Sequence, residues 1–300
     1  MSRRLIVSIV VAALCCAAIV ATSATAAGRG RPELATGPAS GFVPANAHAA
    51  RPGGGGHVSL LLWGGGPVMH STTVVPIFWG TKWGNSTFVG DKITGLDYLY
   101  SHVGGSSYLH TNFEYTDGAG HVNTTSVSKG ADFTDTSATP SGAPSTTAVL
   151  NEVAKETGGN PQANAYYPVY SDQPRGNAGY CAWHSSGTIN GIRVQFGFFF
   201  NLDGDPGCDP QSPSSTGHSQ GLAALGNVTG HELSEMLTDP QINAWLDRQG
   251  AENADKCAWT FGTTYTTANG SKANMKLGGL DFLIQRNWVN ASGGYCALSY

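Results

Sequence analysis

With 300 residues, 12% of them charged, 41 glycines and a formal net charge of −4, the chain is long enough to bury the core of one large domain. Five of its 16 basic residues but only one of its 20 acidic residues precede His57, which leaves 11 basic against 19 acidic residues and a formal charge of −8 in the remainder. That balance excludes nucleic acid and anionic membrane as main partners.

Residues 1–26 read as a secretory signal peptide. Arg3 and Arg4 open it, an apolar run follows from Leu5 to about Val20, and it ends in the small residues Ala24-Thr25-Ala26. The protein is therefore expected to be secreted. Leu14 before Cys15 is a poor fit to a lipoprotein cleavage site, so no membrane anchor is expected, and the mature chain is read as a monomer. Residues 27–57, rich in Ala, Gly, Pro and Arg and closing on Arg51-Pro-Gly-Gly-Gly-Gly56, read as a linker or pro-segment. The secreted domain is placed at 58–300.

Within it, 57–62 and 72–79 are β-rich runs separated by Gly64-Gly65-Gly66-Pro67 and are expected to pair. Residues 91–102 space Ile93, Leu96, Leu99 and Tyr100 as a helix does. Alternation over 108–115 and 121–129 around Asp117-Gly118 predicts a hairpin, and 145–157 predicts a helix ending at Gly158-Gly159. Strands are expected at 164–171, 181–184 and 192–201. The last of these carries Val194, Phe196, Phe198 and Phe200 at every other position, the pattern of a buried sheet. A helix around His231 stops at Asp239-Pro240, and 261–300 is again strand-like. The fold class expected is α+β, a mixed sheet core stabilised by disulfides. Four cysteines remain after signal removal, and the pairs Cys181 with Cys208 and Cys257 with Cys296 each bracket strand-like sequence.

The chemistry concentrates in His231-Glu232-x-x-Glu235. On a helix, His231 and Glu235 stand one turn apart on one face, as the two ligands of a metallopeptidase H-E-x-x-H helix do, with the intervening Glu232 as general base. Glu replaces the second His. Glu252 and Asp255 lie 21 and 24 residues beyond His231, where either could supply a third carboxylate ligand and the other could orient His231. The implied cofactor is a divalent metal: zinc is a candidate, and this carboxylate-rich set suits manganese, iron or calcium equally.

Competing signals are weaker. Gly217-His218-Ser219-Gln220-Gly221 matches the Gly-x-Ser-x-Gly elbow of α/β-hydrolases, but a turn-rich loop precedes it and no acid lies between Ser219 and His231, the last histidine. His218 remains a possible extra ligand. Asp203-Gly-Asp205 lacks the spacing of a calcium loop, and most of the seven tryptophans read as core.

Taken together, several segments resemble the EXORDIUM, or phosphate-induced protein 1, family of secreted plant proteins and its bacterial relatives. They are Gly65-Gly66-Pro67 before the 72–79 strand, His231-Glu-Leu-x-Glu235 with Pro240 and Asn243-Ala-Trp245, Glu252-x-x-Asp255-x-Cys257, and Phe282-Leu-Ile-Gln285. The resemblance implies that Glu at position 235 belongs to a family pattern and that the protein works outside the cell in growth-related or wall-related roles. Two functions follow as expectations. One is a secreted metal-dependent hydrolase of peptidase type acting on an extracellular protein, peptide or cell-wall substrate. The other is a non-catalytic EXORDIUM-like protein in which the same residues form a structural polar network.

Overall fold

The computed structural model describes residues 33–45, 59–211 and 217–300. The expected signal peptide, its two cysteines and the outer parts of the expected linker lie outside these residues. Eight strands make the main sheet: β1 Leu34–Ser40, β2 Thr72–Val74, β3 Ile77–Trp79, β4 Val127–Lys129, β5 Phe133–Asp135, β6 Ala165–Pro174, β7 Ala182–Ile189 and β8 Ile192–Asn201. Their order is β1-β7-β8-β6-β2-β4, with β3 and β5 continuing the rows begun by β2 and β4. Pro76, which has no N–H to donate, stands at the break between β2 and β3. Antiparallel pairing joins β7 to β1 and β8, and parallel pairing joins the rest. The mixed sheet and its helices are of the expected α+β class.

Helices cover both faces of the sheet. The helix α1 spans Lys92–Val103, α2 spans Thr146–Glu156 and α3 spans Gln220–Thr238. Ser145 caps α2 by accepting from the Ala148 N–H at 3.2 Å. Helix α2 packs on β1, β7 and β8, with Leu150 seated over Gly187, where a Cβ would lie 2.7 Å from its Cδ2. Side chains alternate along β7 and β8, and the register pairs Trp183 with Phe198 and His184 with Gly197. Trp183, Phe196 and Phe198 therefore share the face toward α2, and His184 and Phe199 share the opposite face. Tyr170 stacks on Phe199 at 4.6 Å and hydrogen-bonds Thr229 of α3 at 2.9 Å, so that second face belongs to α3. The helix α3 is buried all round from Gly221 to Thr238, which makes it the interior element of this layer.

Three expectations change. Residues 34–40, inside the expected linker, form the edge strand β1, pairing from Leu34↔Ile189 to Ser40↔His184. Val43 beyond it is fully buried. Pro38 and the sparse apolar residues hid the strand; an edge row tolerates both, and Pro38 falls where the register shifts between Thr36 and Ala39. Next, the 57–62 and 72–79 runs do not pair with each other, because Leu62–Trp63 instead pairs with Trp245–Leu246. Finally, 108–115 begins as a helical turn, Ser107–His110, and only Thr116–Asp117 and Gly120–His121 form the expected hairpin. Both disulfides are as expected, Cys181–Cys208 and Cys257–Cys296. Among the described residues no helix is long and apolar enough to cross a membrane.

Candidate metal centre

Glycines on α3 let the late 282–285 segment come within touching distance of the helix. A Cβ on Gly226 would meet Phe282 Cδ1 at 3.3 Å, and one on Gly230 would meet Ile284 Cγ2 at 2.6 Å. This approach sets Gln285 over His231. The Gln285 backbone N–H donates to Asn227 Oδ1 at 2.9 Å, its side-chain Oε1 accepts from the Trp259 N–H at 2.7 Å, and its Nε2 donates to His231 Nδ1. Because Oε1 is taken by a backbone donor, the amide orientation follows, and the ring proton of neutral His231 sits on Nε2.

His231 Nε2 points into a group of carboxylates. It lies 3.0 Å from Glu235 Oε1, one helical turn on, and 3.6 Å from Asp255 Oδ1. On the far side of Glu235 stands His184 from β7, its Nε2 4.0 Å from Glu235 Oε2 and 3.1 Å from both oxygens of Glu252. The 252–255 turn is held to the helix by its own backbone: the Asp255 N–H donates to Glu235 Oε1 at 2.8 Å, and the Glu252 N–H donates to Asp255 Oδ2 at 3.2 Å. His184, His231, Glu232, Glu235 and Glu252 are all 0% exposed. Glu235 Oε2 and both Glu232 oxygens have no hydrogen-bond donor, which is costly for buried acceptors. Two sets of donor atoms could each hold a metal ion, His231–Glu235–Asp255 and His184–Glu235–Glu252.

The electrostatics follow from this crowding. Burial alone would depress the His231 imidazole, but Glu235 and Asp255 outweigh it and hold the ring at about 10. At His184 burial is likewise overcome, by Glu252 first and then Glu235 and Asp239, giving about 9. Burial pushes Glu235 up to about 8, with Asp255 adding to it and His231 opposing. Glu232 is driven well above the ordinary carboxylate range by burial and then by Glu235, Asp255 and Glu252. Protonated in this way, the two imidazoles already answer part of the carboxylate charge, and a cation binding here would displace their protons.

The structure thus brings His231, Glu235, Glu252 and Asp255 together, and divides the two downstream carboxylates: Asp255 faces His231 and Glu252 faces His184. Sequence reading missed His184 and Gln285. The polar residue in the otherwise apolar run Ala182-Trp183-His184 was the available signal for the first. The competing motifs lie elsewhere. Ser219 is the N-cap of α3, accepting from the Leu222 N–H at 3.1 Å and donating to Asp91 Oδ1 at 2.5 Å. His218 contacts the Asp281 carbonyl at 2.9 Å. Asp205 is held by the Arg175 guanidinium and Asp203 by Lys92. A third acidic group, Asp135, Glu152 and Glu156, is bridged by Lys155.

The segment at the end of β1 closes over the cluster. Ser40 Oγ donates to Glu252 Oε2 at 2.6 Å. Gly41, at φ +60°, lies so close that a Cβ there would fall 2.1 Å from Glu235 Oε2. Only Asp255 reaches the surface, its side chain 22% exposed. No protein-family model, curated protein or solved structure matches this chain.

Proposed function

We propose that the protein is a secreted, EXORDIUM-like metal-dependent hydrolase of peptidase type, with His231, Glu235 and Asp255 holding a divalent cation and Glu232 serving as general base. The observation that supports this reading is the concentration of carboxylates and imidazoles at zero exposure with acceptors left undonated, because a cation compensates buried carboxylates that lack donors. When bound, a divalent cation supplies Lewis-acid polarisation of a scissile carbonyl. The two carboxylates and single imidazole of this set give zinc no advantage over manganese. Gln285 fixes the ring plane of His231 from the side away from the carboxylates. As general base the Glu232 carboxylate would take one proton from the water that attacks the carbonyl carbon and pass it to the leaving amine as the C–N bond breaks. The substrate class under this reading is an extracellular protein, peptide or wall-associated chain.

Elemental analysis of the full chain, loaded with Zn²⁺ or Mn²⁺ and desalted, should find metal, and His231→Ala should lose the ion held at His231. Glu232→Gln should keep the metal and lose peptide hydrolysis by about 10²–10⁴-fold. Full hydrolysis in Glu232→Gln, or no metal in the unaltered chain, overturns the reading. A second reading rests on a specific contact: Gln285 Nε2 donates to His231 Nδ1, which directs the Nε2 proton of the neutral ring toward Glu235 and Asp255. A buried network pinning α3 to the 252–255 turn predicts a chain that stays metal-free after loading.

A further inference from the structure

We propose that the cluster is a two-cation centre, in which Glu235 bridges and His184 with Glu252 forms a second site beside the first. The inference rests on the metal-dependent reading above and extends it. The two carboxylate oxygens of Glu235 face opposite ways. Oε1 lies 3.0 Å from His231 Nε2, and Oε2 lies 4.0 Å from His184 Nε2. Each side then adds one further carboxylate, Asp255 beside His231 and Glu252 beside His184. The result is two donor sets of equal composition, one imidazole nitrogen and two carboxylate oxygens, joined through one residue.

The His184 side carries its own sign of a ligand. Glu235 Oε2 is fully buried, aimed toward His184, and has no hydrogen-bond donor. The Gly41 backbone packs against this oxygen, and only glycine fits: a Cβ there would stand 2.1 Å from Glu235 Oε2 and 3.1 Å from His184 Nε2. Glu252 Oε2 accepts from Ser40, and both Glu252 oxygens lie 3.1 Å from His184 Nε2, so among the described residues Oε1 remains without a second protein partner beside the imidazole. Two divalent ions sharing a carboxylate about 3.5–4 Å apart are the arrangement that clamps both the attacking and the leaving oxygen in hydrolysis.

Metal stoichiometry of the full chain tests this. After equilibration with Mn²⁺ and removal of free ion, the unaltered protein should retain two equivalents and give an exchange-coupled Mn²⁺ resonance spectrum. His184→Ala should retain one equivalent with an uncoupled spectrum, and His231→Ala should also fall to one. Glu252→Gln, which keeps the volume and the Ser40 contact site, repeats the His184 test without emptying the core. One equivalent in the unaltered protein, unchanged by His184→Ala and Glu252→Gln, overturns the second site and leaves the first standing. Two equivalents that survive both variants place the second ion elsewhere and overturn it as well. Zero equivalents overturns both readings.

Discussion

Gly41→Ala is the sharpest test of the way β1 closes over the cluster. Position 41 holds φ +60°, and an added Cβ would fall 2.1 Å from Glu235 Oε2 and 2.6 Å from His184 Cδ2. The left-handed backbone costs an Ala about 1–2 kcal/mol. The overlap requires a shift of more than an ångström by side chains that are themselves fully buried, which adds about 1–3 kcal/mol as an overpacking strain. A total near 3 kcal/mol lowers the melting temperature of a domain this size by about 6–12 °C. Gly65→Ala is the control: φ there is +96° and nothing lies within 4 Å of its Cβ position. If backbone strain alone mattered, Gly65→Ala would be the more damaging, since +60° is the milder angle for Ala. Calorimetry of both variants therefore separates the two contributions. Gly41→Ala melting at or above Gly65→Ala would refute the packing of Gly41 on the cluster.

Other outcomes follow from the same geometry. Gly230→Ala gains helix propensity but places a Cβ 2.6 Å from Ile284 Cγ2, so a net loss of about 1–2 kcal/mol is expected in urea unfolding. Ile284→Ala, which removes that Cγ2, should offset part of it in a double-mutant cycle, and additive effects would refute the contact. Removing Cys181–Cys208, with a sequence separation of 27, should cost about 3.5 kcal/mol, and removing Cys257–Cys296, separated by 39, about 4 kcal/mol. Denaturant midpoints of the paired Ser variants check both figures. Glu152 is pushed up to about 8 from 4.5, by burial and then by Asp135, with Lys155 opposing. Between those values the folded chain holds a proton that the unfolded chain has released, so this carboxyl lowers stability as pH rises through that window. Glu152→Gln should flatten the decline and stabilise the protein by about 1–2 kcal/mol at pH 8, a figure reduced for the screening of Lys155 and solvent. An unchanged pH profile refutes it.

What could be seen in the sequence was what local pattern encodes. Strand 192–201 announced itself by alternation. The helix around His231 was marked by its spacing and by Asp239-Pro240, where it stops. An even number of cysteines beyond the expected signal peptide, bracketing strand-like runs, pointed to the disulfide pairs. The residues that resisted reading are those whose role is set by distant partners. His184 is one of several polar residues in a buried strand, beside Ser185 and Ser186, and only the pairing of β7 with β8 and the packing of α3 on that face turn it toward Glu235. Gln285 matters because Gly226 and Gly230 admit its segment to the helix. Gly66 and Asn243, far apart in the resembling segments, meet directly: the Gly66 N–H donates to the Asn243 carbonyl at 3.0 Å, and a Cβ on Gly66 would strike Asn243 Oδ1. Part of that motif pattern thus braces the chain leaving α3.

The stretch that reads as a linker bears most directly on the choice between the two functions. Ser40 and Gly41 shield Glu252, Glu235 and His184. Val43 exchanges backbone hydrogen bonds with Cys181 and Ala182, and Pro44 accepts from the Trp259 indole at 2.8 Å. A polar network that only fixes α3 in place works best under such a cover, because excluded water strengthens every bond in it. A hydrolase needs that cover to open, because an extended substrate requires more access than Asp255 alone provides. The β1 edge has one sheet partner along its length, β7, so it is the row that can separate without breaking the rest of the sheet. If catalysis is the function, hydrogen exchange of the β1 amides should rise when a peptide substrate is added; if the network is the function, it should stay unchanged.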